Sequence, residues 1–325
     1  MDGYLFLGQA AGTVPPRGEP IPVDLSAEFA VVDRYEDVVF LGPVGSPFAV
    51  DASRKDRLAL KELLVESETA ESADNDLLAS WLGDWPAGAW MFPDREAGQE
   101  LGQWIDGNGT NSFFKGVFDH DGPGALVLGA GPSAAAQFMF ETPSVSVVFR
   151  VNNRKRSILH AERFFQRIDA NGRMGLLRKD VAHAEARLIA YQATEQGFLQ
   201  FRDEDRFAYG VTDDVLVIGN SLKVVRQLMA RTWPKEGAPL PTWYSDQTQG
   251  GRGQRGSLWL DAPPLAKAGQ SMVGAMRVAN VIEANPEYEA VIDAWERFFG
   301  VLEGWQRVEG SRDAGWEITI HAGDR

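Results

Sequence analysis

The sequence predicts an α+β protein, with antiparallel β-meander sheets and packed helices arranged as two similar lobes, residues 1–142 and 143–325. Three observations lead there. Short apolar runs end on Leu-Gly or Ile-Gly four times: Leu5-Phe6-Leu7-Gly8, Val39-Phe40-Leu41-Gly42, Leu126-Val127-Leu128-Gly129 and Leu216-Val217-Ile218-Gly219. Within residues 187–218, apolar runs follow one another across connections too short for a crossover helix, so neighbouring strands are antiparallel. Helical stripes fall between these strand clusters and not after every strand, which is the α+β pattern.

In chain order, the first strand gives way to residues 12–22, where four prolines and two glycines exclude regular structure. Residues 28–32 and 37–41 read as a hairpin about a polar turn. Leu58, Leu63, Leu64 and Val65 among charges predict an amphipathic helix over 54–66, followed by an acidic surface loop over 67–76. Three tryptophans surround Pro86, and residues 94–105 read as a helix closed by Asp106-Gly107-Asn108-Gly109. A small-residue segment, 132–137, leads to a β-branched strand at 145–150. Ile158, Ala161, Phe165 and Ile168 share one face of a helix over 154–168 that stops at Asn171-Gly172.

Four strands are then predicted, at 187–192, 198–202, 207–211 and 215–218. A helix over 222–230 turns Leu222, Val225 and Met229 inward. Residues 232–256 form a long irregular segment carrying Pro234, Pro239 and Pro241, and loops of that length are usually functional or disordered. A strand at 257–261 and a helix at 272–283 follow. Asn285 caps a final helix with Pro286 in its first position, a stripe from Tyr288 to Leu302 that includes Trp295, and Gly304 as its stop. Residues 316–320 alternate as a half-buried strand.

At 325 residues with 44% hydrophobic content the chain supports a sizeable core without staples. Lys and Arg total 32 against 46 Asp and Glu, and a formal charge of -14 repels nucleic acid and anionic lipid alike. The absence of cysteine excludes disulfides, thiolate metal sites and Cys nucleophiles. No stretch approaches the ~18 apolar residues of a membrane span, and Met1 to Pro16 lacks a basic n-region, so a soluble chain with no export signal is expected.

From Val145 onward, the order is strand, helix, a meander ending Phe207-Ala208-Tyr209-Gly210-Val211-Thr212-Asp213-Asp214-Val215-Leu216-Val217-Ile218-Gly219, helix, and a strand-helix-helix-strand tail. It resembles a family of bacterial extracytoplasmic proteins of unknown function. Trp81-Leu82-Gly83-Asp84-Trp85-Pro86-Ala87-Gly88-Ala89-Trp90 and Gly122-Pro123-Gly124-Ala125-Leu126-Val127-Leu128-Gly129 look like the preceding part of that pattern, so the resemblance covers residues 77–320. It implies an extracytoplasmic location and no activity, cofactor or catalytic residue. The chain departs from the pattern in showing no leader or membrane anchor.

Gly129-Ala130-Gly131-Pro132-Ser133-Ala134 matches G-x-G-x-x-A after a strand, where Gly129 and Gly131 let backbone N-H groups approach a pyrophosphate. The next strand ends in Arg150 in place of the acid that holds a ribose hydroxyl, which suits a 2′-phosphate. The histidines, His120, His160, His183 and His321, show no ligand spacing, and the ligand types in Asp119-His120-Asp121 point apart on an extended chain. Asp106, Asn108, Thr110 and Ser112 imitate a calcium loop, but Asn111 stands where its Gly belongs and Val117 where its Glu belongs. No G-x-S-x-G elbow occurs, and Asp203-Glu204-Asp205 and Asp213-Asp214 sit in hairpin turns, where Asp is favoured by geometry.

Trp233 and Trp243 lie in the long Pro/Gly segment with no periodic reason to be buried, alongside Arg252 and Arg255. These four are the expected partner contacts. The expected function is therefore a non-enzymatic binding or scaffold protein, or a subunit of a larger assembly, that meets a protein partner through loops and an acidic surface. Neither cofactor, metal nor catalytic residue is expected. The alternatives are a nucleotide- or flavin-dependent enzyme using Gly129, Gly131 and Arg150, and a carbohydrate-active protein stacking sugars on tryptophan.

Overall fold

The computed structural model describes residues 3–6, 29–35, 38–43, 48–54, 57–62, 73–106, 116–135, 140–172, 175–193, 207–248, 256–278, 302–312 and 316–322, with 292–293, 296–297 and 299–300. A small sheet comes first. Strands β1 (Gly3–Phe6), β2 (Phe29–Tyr35) and β3 (Val38–Pro43) lie in the order β1-β3-β2, with β1 parallel to β3 and β2 antiparallel to it.

The remaining elements are β4 (Phe48–Arg54), β5 (Arg57–Glu62), α1 (Ala73–Leu82), β6 (Gly88–Phe92), α2 (Arg95–Asp106), β7 (Gly124–Ala135), β8 (Phe140–Arg150) and α3 (Arg154–Gly172). They continue through β9 (Leu176–Val181), β10 (Arg187–Ala193), β11 (Phe207–Val211), β12 (Val215–Gly219), α4 (Leu222–Met229), α5 (Thr242–Thr248), β13 (Gly256–Asp261), α6 (Ala262–Val278), β14 (Trp305–Arg312) and β15 (Trp316–Ala322). Twelve strands make one sheet in the order β4-β5-β15-β14-β13-β6-β7-β8-β12-β11-β10-β9, antiparallel at every pairing. The protein is thus α+β, with β9 to β12 as its meander. At residue 142, where the sequence suggests a boundary between lobes, β8 runs on without a break, paired to β7 on one side and β12 on the other.

Alternation along the central strands separates two cores. Val148, Val215 and Val217 point to one face, beneath α1 and α4; Val147, Phe149, Leu216 and Ile218 point to the other, beneath α3. Because β12 is buried on both faces, its sequence is an uninterrupted apolar run. Ser221 caps α4, its side-chain oxygen accepting from the Val224 N-H, and Leu222, Val225, Leu228 and Met229 face the sheet. The helix sits close because Gly210 lies beneath it: a Cβ there would stand 3.3 Å from Val225 Cγ1 and collide with Met229. Val217 is fully buried between Val148 and Gly210. Val217→Ala is expected to cost about 2 kcal/mol, and an unchanged urea midpoint would contradict this burial.

Several elements differ from the sequence expectation. In place of a helix over 54–66 there is strand β5, where Leu58 pairs with Ile320 and Leu60 with Ile318, a period of two. Strand β9 takes the place beside β10; its Leu-Leu start followed by three charges gives no alternation to read. The predicted strand at 198–202 and most of the helix over 286–302 lie outside the described residues. Helix α6 begins at Ala262, ten residues before the expected start at 272, because Pro263 and Pro264 fall in its first turn, where no N-H partner is required.

Candidate functional site

The segment after α4 wraps the C-terminal end of α1. The last carbonyls of a helix have no partner within it, and here the wrapping segment supplies them. Gly83 leaves α1 at φ +56, its N-H bonding Ala79 O at 2.9 Å. Arg231 Nη1 donates to Trp81 O at 2.9 Å and also to Leu82 O. The Trp243 indole N-H donates to Gly83 O at 2.9 Å, and Ser80 Oγ donates to Pro239 O at 3.1 Å. The Arg231 cation also complements the negative end of the α1 dipole and lies 5.9 Å from the Trp85 ring centroid. Burial lowers its pKa from the ordinary arginine value.

Trp233 stands at the mouth of this arrangement, half-buried between two supports. The Arg150 guanidinium lies 4.6 Å from its ring centroid, and the Trp81 ring is 6.1 Å away. Arg150 is itself held by Asp214, donating to its carboxylate at 2.9 Å and its carbonyl at 2.8 Å, with Asp74 at 3.9 Å. Beyond Trp233 the loop turns through Gly237 at φ +78, closed by the Ala238 N-H to Lys235 O bond, and exposes Thr232, Lys235, Glu236 and Pro239. The outcome is an aromatic edge inside a polar rim on a fastened loop.

Of the expected partner contacts, the structure keeps Trp233 at the surface and moves Trp243 inside. Trp243 is 6% exposed and stacks on Trp259 at 5.7 Å, so it fastens the loop from within the core and is no contact. Its burial comes from α5, which the Pro-rich composition hid. Arg252 and Arg255 lie outside the described residues.

Gly129 and Gly131, the pyrophosphate contacts of the nucleotide alternative, are placed in a strand. Both residues lie inside β7, Gly129 paired with Ser144, and the chain runs on as strand where a cradle needs a turn into a helix. A Cβ at Gly129 would collide with the Ser144 hydroxyl and stand 3.1 Å from the Trp85 ring, so the strand pairing and the ring together leave room only for glycine. Arg150, the 2′-phosphate ligand of the nucleotide alternative, is engaged by Asp214 and Trp233.

Two histidines meet beneath α3. His120 is 6% exposed, stacks on Phe149 at 4.7 Å and lies 5.3 Å from the His160 ring. The Ser157 hydroxyl donates its proton to Asn153 O at 3.1 Å, so His120 Nε2, 2.9 Å from Ser157 Oγ, is the donor to that oxygen. His120 Nδ1 is buried with no hydrogen-bond partner among the described residues. His160 Nε2 donates to Val117 O at 2.8 Å.

Burial holds His120 down at about 4, helped by His160 and opposed by Asp121. Burial likewise lowers His160, opposed by the Val117 carbonyl and Asp119 and assisted by Arg167 and Arg95. The Ser157-His120 contact is no nucleophile-base pair, since the hydroxyl proton already points away and Ser157 is 1% exposed. Asp119 and Asp121 point away from His120, as adjacent residues should: Asp119 accepts from Gln99 at 2.6 Å and Asp121 is exposed. Among the described residues no group of three His, Asp or Glu side chains could hold a metal ion. The pairing of His120 with His160 escaped sequence reasoning because the residues are 40 positions apart; the one local signal was Ser157 and His160 at helical spacing.

Among the described residues no helix is long and apolar enough to cross a membrane. No family model matches the chain, and no curated protein matches it. A solved structure described as crystal form III of TP0453 is similar over 76% of this chain and 80% of its own, at 9% identity and a TM-score of 0.36.

Proposed function

We propose that the chain is a non-enzymatic binding or scaffold protein that meets a protein partner through the 231–241 loop, with Trp233 as its anchor. The observation that carries this is the fastening of that loop to α1 by Arg231, Ser80 and Trp243. A loop already held in shape has little conformational entropy left to lose on association. A half-exposed tryptophan supported by an arginine is also the residue type and setting of an interface hot spot. Acidic groups stand on its Arg150 support: the Asp214 side chain is 43% exposed and that of Asp74 51%. They give the acidic surface that a partner would read for orientation. An extracytoplasmic location, implied by the resemblance, belongs to the same proposal.

Trp233→Ala should leave the far-ultraviolet circular dichroism intact and weaken partner association by about 2 kcal/mol or more. A photo-crosslinker installed at Lys235, exposed on the same loop, would capture the partner from the native source, and quantitative mass spectrometry would compare the two proteins. Equal capture of every protein by folded Trp233→Ala would reject this role for the loop.

A further inference from the structure

Residues 150–187 carry ten Lys and Arg against four Asp and Glu, a net +6 within a chain of -14, so the rest of the molecule is at -20. Half of these cations are on α3. Lys155, Arg156, Arg163 and Arg167 are exposed around Leu159, which is 45% exposed and one of two large hydrophobic side chains in the open among the described residues. The spacing 156, 159, 163, 167 puts them along one stripe of the helix.

The carboxylates of α3 are turned away from that stripe and engaged. Glu162 accepts from Arg187 at 3.0 Å and from the Tyr209 hydroxyl at 3.2 Å, with Arg178 at 3.4 Å. Asp169 accepts from the Leu176 N-H at 2.9 Å. Arg154 pairs with Asp213 at 3.0 Å, but Lys155, Arg156 and Arg163 have no ion pair among the described residues.

This arrangement is unfavourable for the helix alone. Its first turn holds three cations and no acid, against the sign of the helix dipole. Arg163 and Arg167 add a like-charge pair at i, i+4. Docked carboxylates would relieve both. We propose that the outer face of α3 is a docking surface for an acidic protein segment carrying an apolar side chain, with carboxylates on Lys155, Arg156 and Arg163 and the apolar group on Leu159. Charge complementarity selects this occupant: residues 155–167 span only about 18 Å, enough for a short peptide, whereas a long polyphosphate or an anionic bilayer would also meet the remaining -20 of the molecule. The surface is separate from the Trp233 loop, since α3 and α1 cover opposite faces of the sheet.

The test uses the full chain and a fluorescein-labelled peptide of repeated Glu-Glu-Leu, with Gln-Gln-Leu as its neutral control, followed by anisotropy. The acidic peptide should bind and the neutral one should not. Raising NaCl from about 50 to about 300 mM should weaken binding several-fold, roughly as the Debye length shortens. The variant Lys155→Glu, Arg156→Glu, Arg163→Glu should lose affinity at least about tenfold, and Leu159→Ser should lose affinity at unchanged salt dependence. Because all four positions are exposed, circular dichroism should match the parent. Affinity unchanged in the charge-reversed variant would overturn the proposal, as would binding of phosphatidylglycerol vesicles or a thymidine oligonucleotide without binding of the acidic peptide.

Discussion

Acidification from about pH 7 to pH 4 should remove about 3 kcal/mol of folding stability through His120 alone. Its folded pKa of about 4 lies below the ordinary 6.5, so the unfolded chain binds the extra proton throughout that interval. Stability is therefore full above pH 6.5, falls as pH drops toward 4, and loses nothing more from this group below that. His160, depressed by the same burial, acts with the same sign. Phe149 from β8 packs against the pair, and the charges near enough to act on it are Asp119 and Asp121 of the loop, which favour the protonated form, with Arg95 from α2 and Arg167 from α3, which oppose it. Urea denaturation at closely spaced pH values would measure the slope. His120→Phe should flatten it by the His120 share, and an identical slope in the two proteins would show that His120 is not a buried neutral base.

Truncating Phe149 should cost about 3 to 5 kcal/mol, the largest loss expected of any single side chain here. The ring is fully buried, stacks on His120, and meets Phe92 at 5.9 Å and His160 at 5.8 Å. Phe149→Ala therefore removes dispersion contacts from two elements at once and leaves a cavity between them. A second readout separates this from a general loss of packing. Space beside His120 relieves the burial that depresses it, so its pKa, followed by NMR, should climb toward 6.5 in the variant. Phe149→Leu, which keeps most of the volume, provides a folded protein for that titration if the alanine variant is too unstable. A loss below about 1 kcal/mol in Phe149→Ala would mean that the ring is not in this core.

How far the sequence carries depends on the range of the physics. The apolar run of β12, the stripe of α3 and the short turn at Asp213-Asp214 are all settled by residues within a few positions of one another, and each was legible. Strand β9 and the first part of α6 were not, since charges on an exposed edge and prolines in a first turn look locally like the end of structure.

The candidate site was legible only in part. Composition pointed to the 232–256 segment and to Trp233, but the bonds that decide what the loop is run from Arg231 to Trp81 and from Trp243 to Gly83, across 150 and 160 positions of chain. The same bonds make Trp243 core. Composition and local periodicity by themselves determined the α+β class, the meander, the net acidity and the absence of cysteine chemistry. Tertiary structure alone decided that Gly129 lies under Trp85 inside a strand, that two histidines share one buried space, and that the carboxylates of α3 face inward to leave its outer stripe cationic. Each of these depends on pairing between segments far apart in sequence, where burial and partner geometry outweigh local preference.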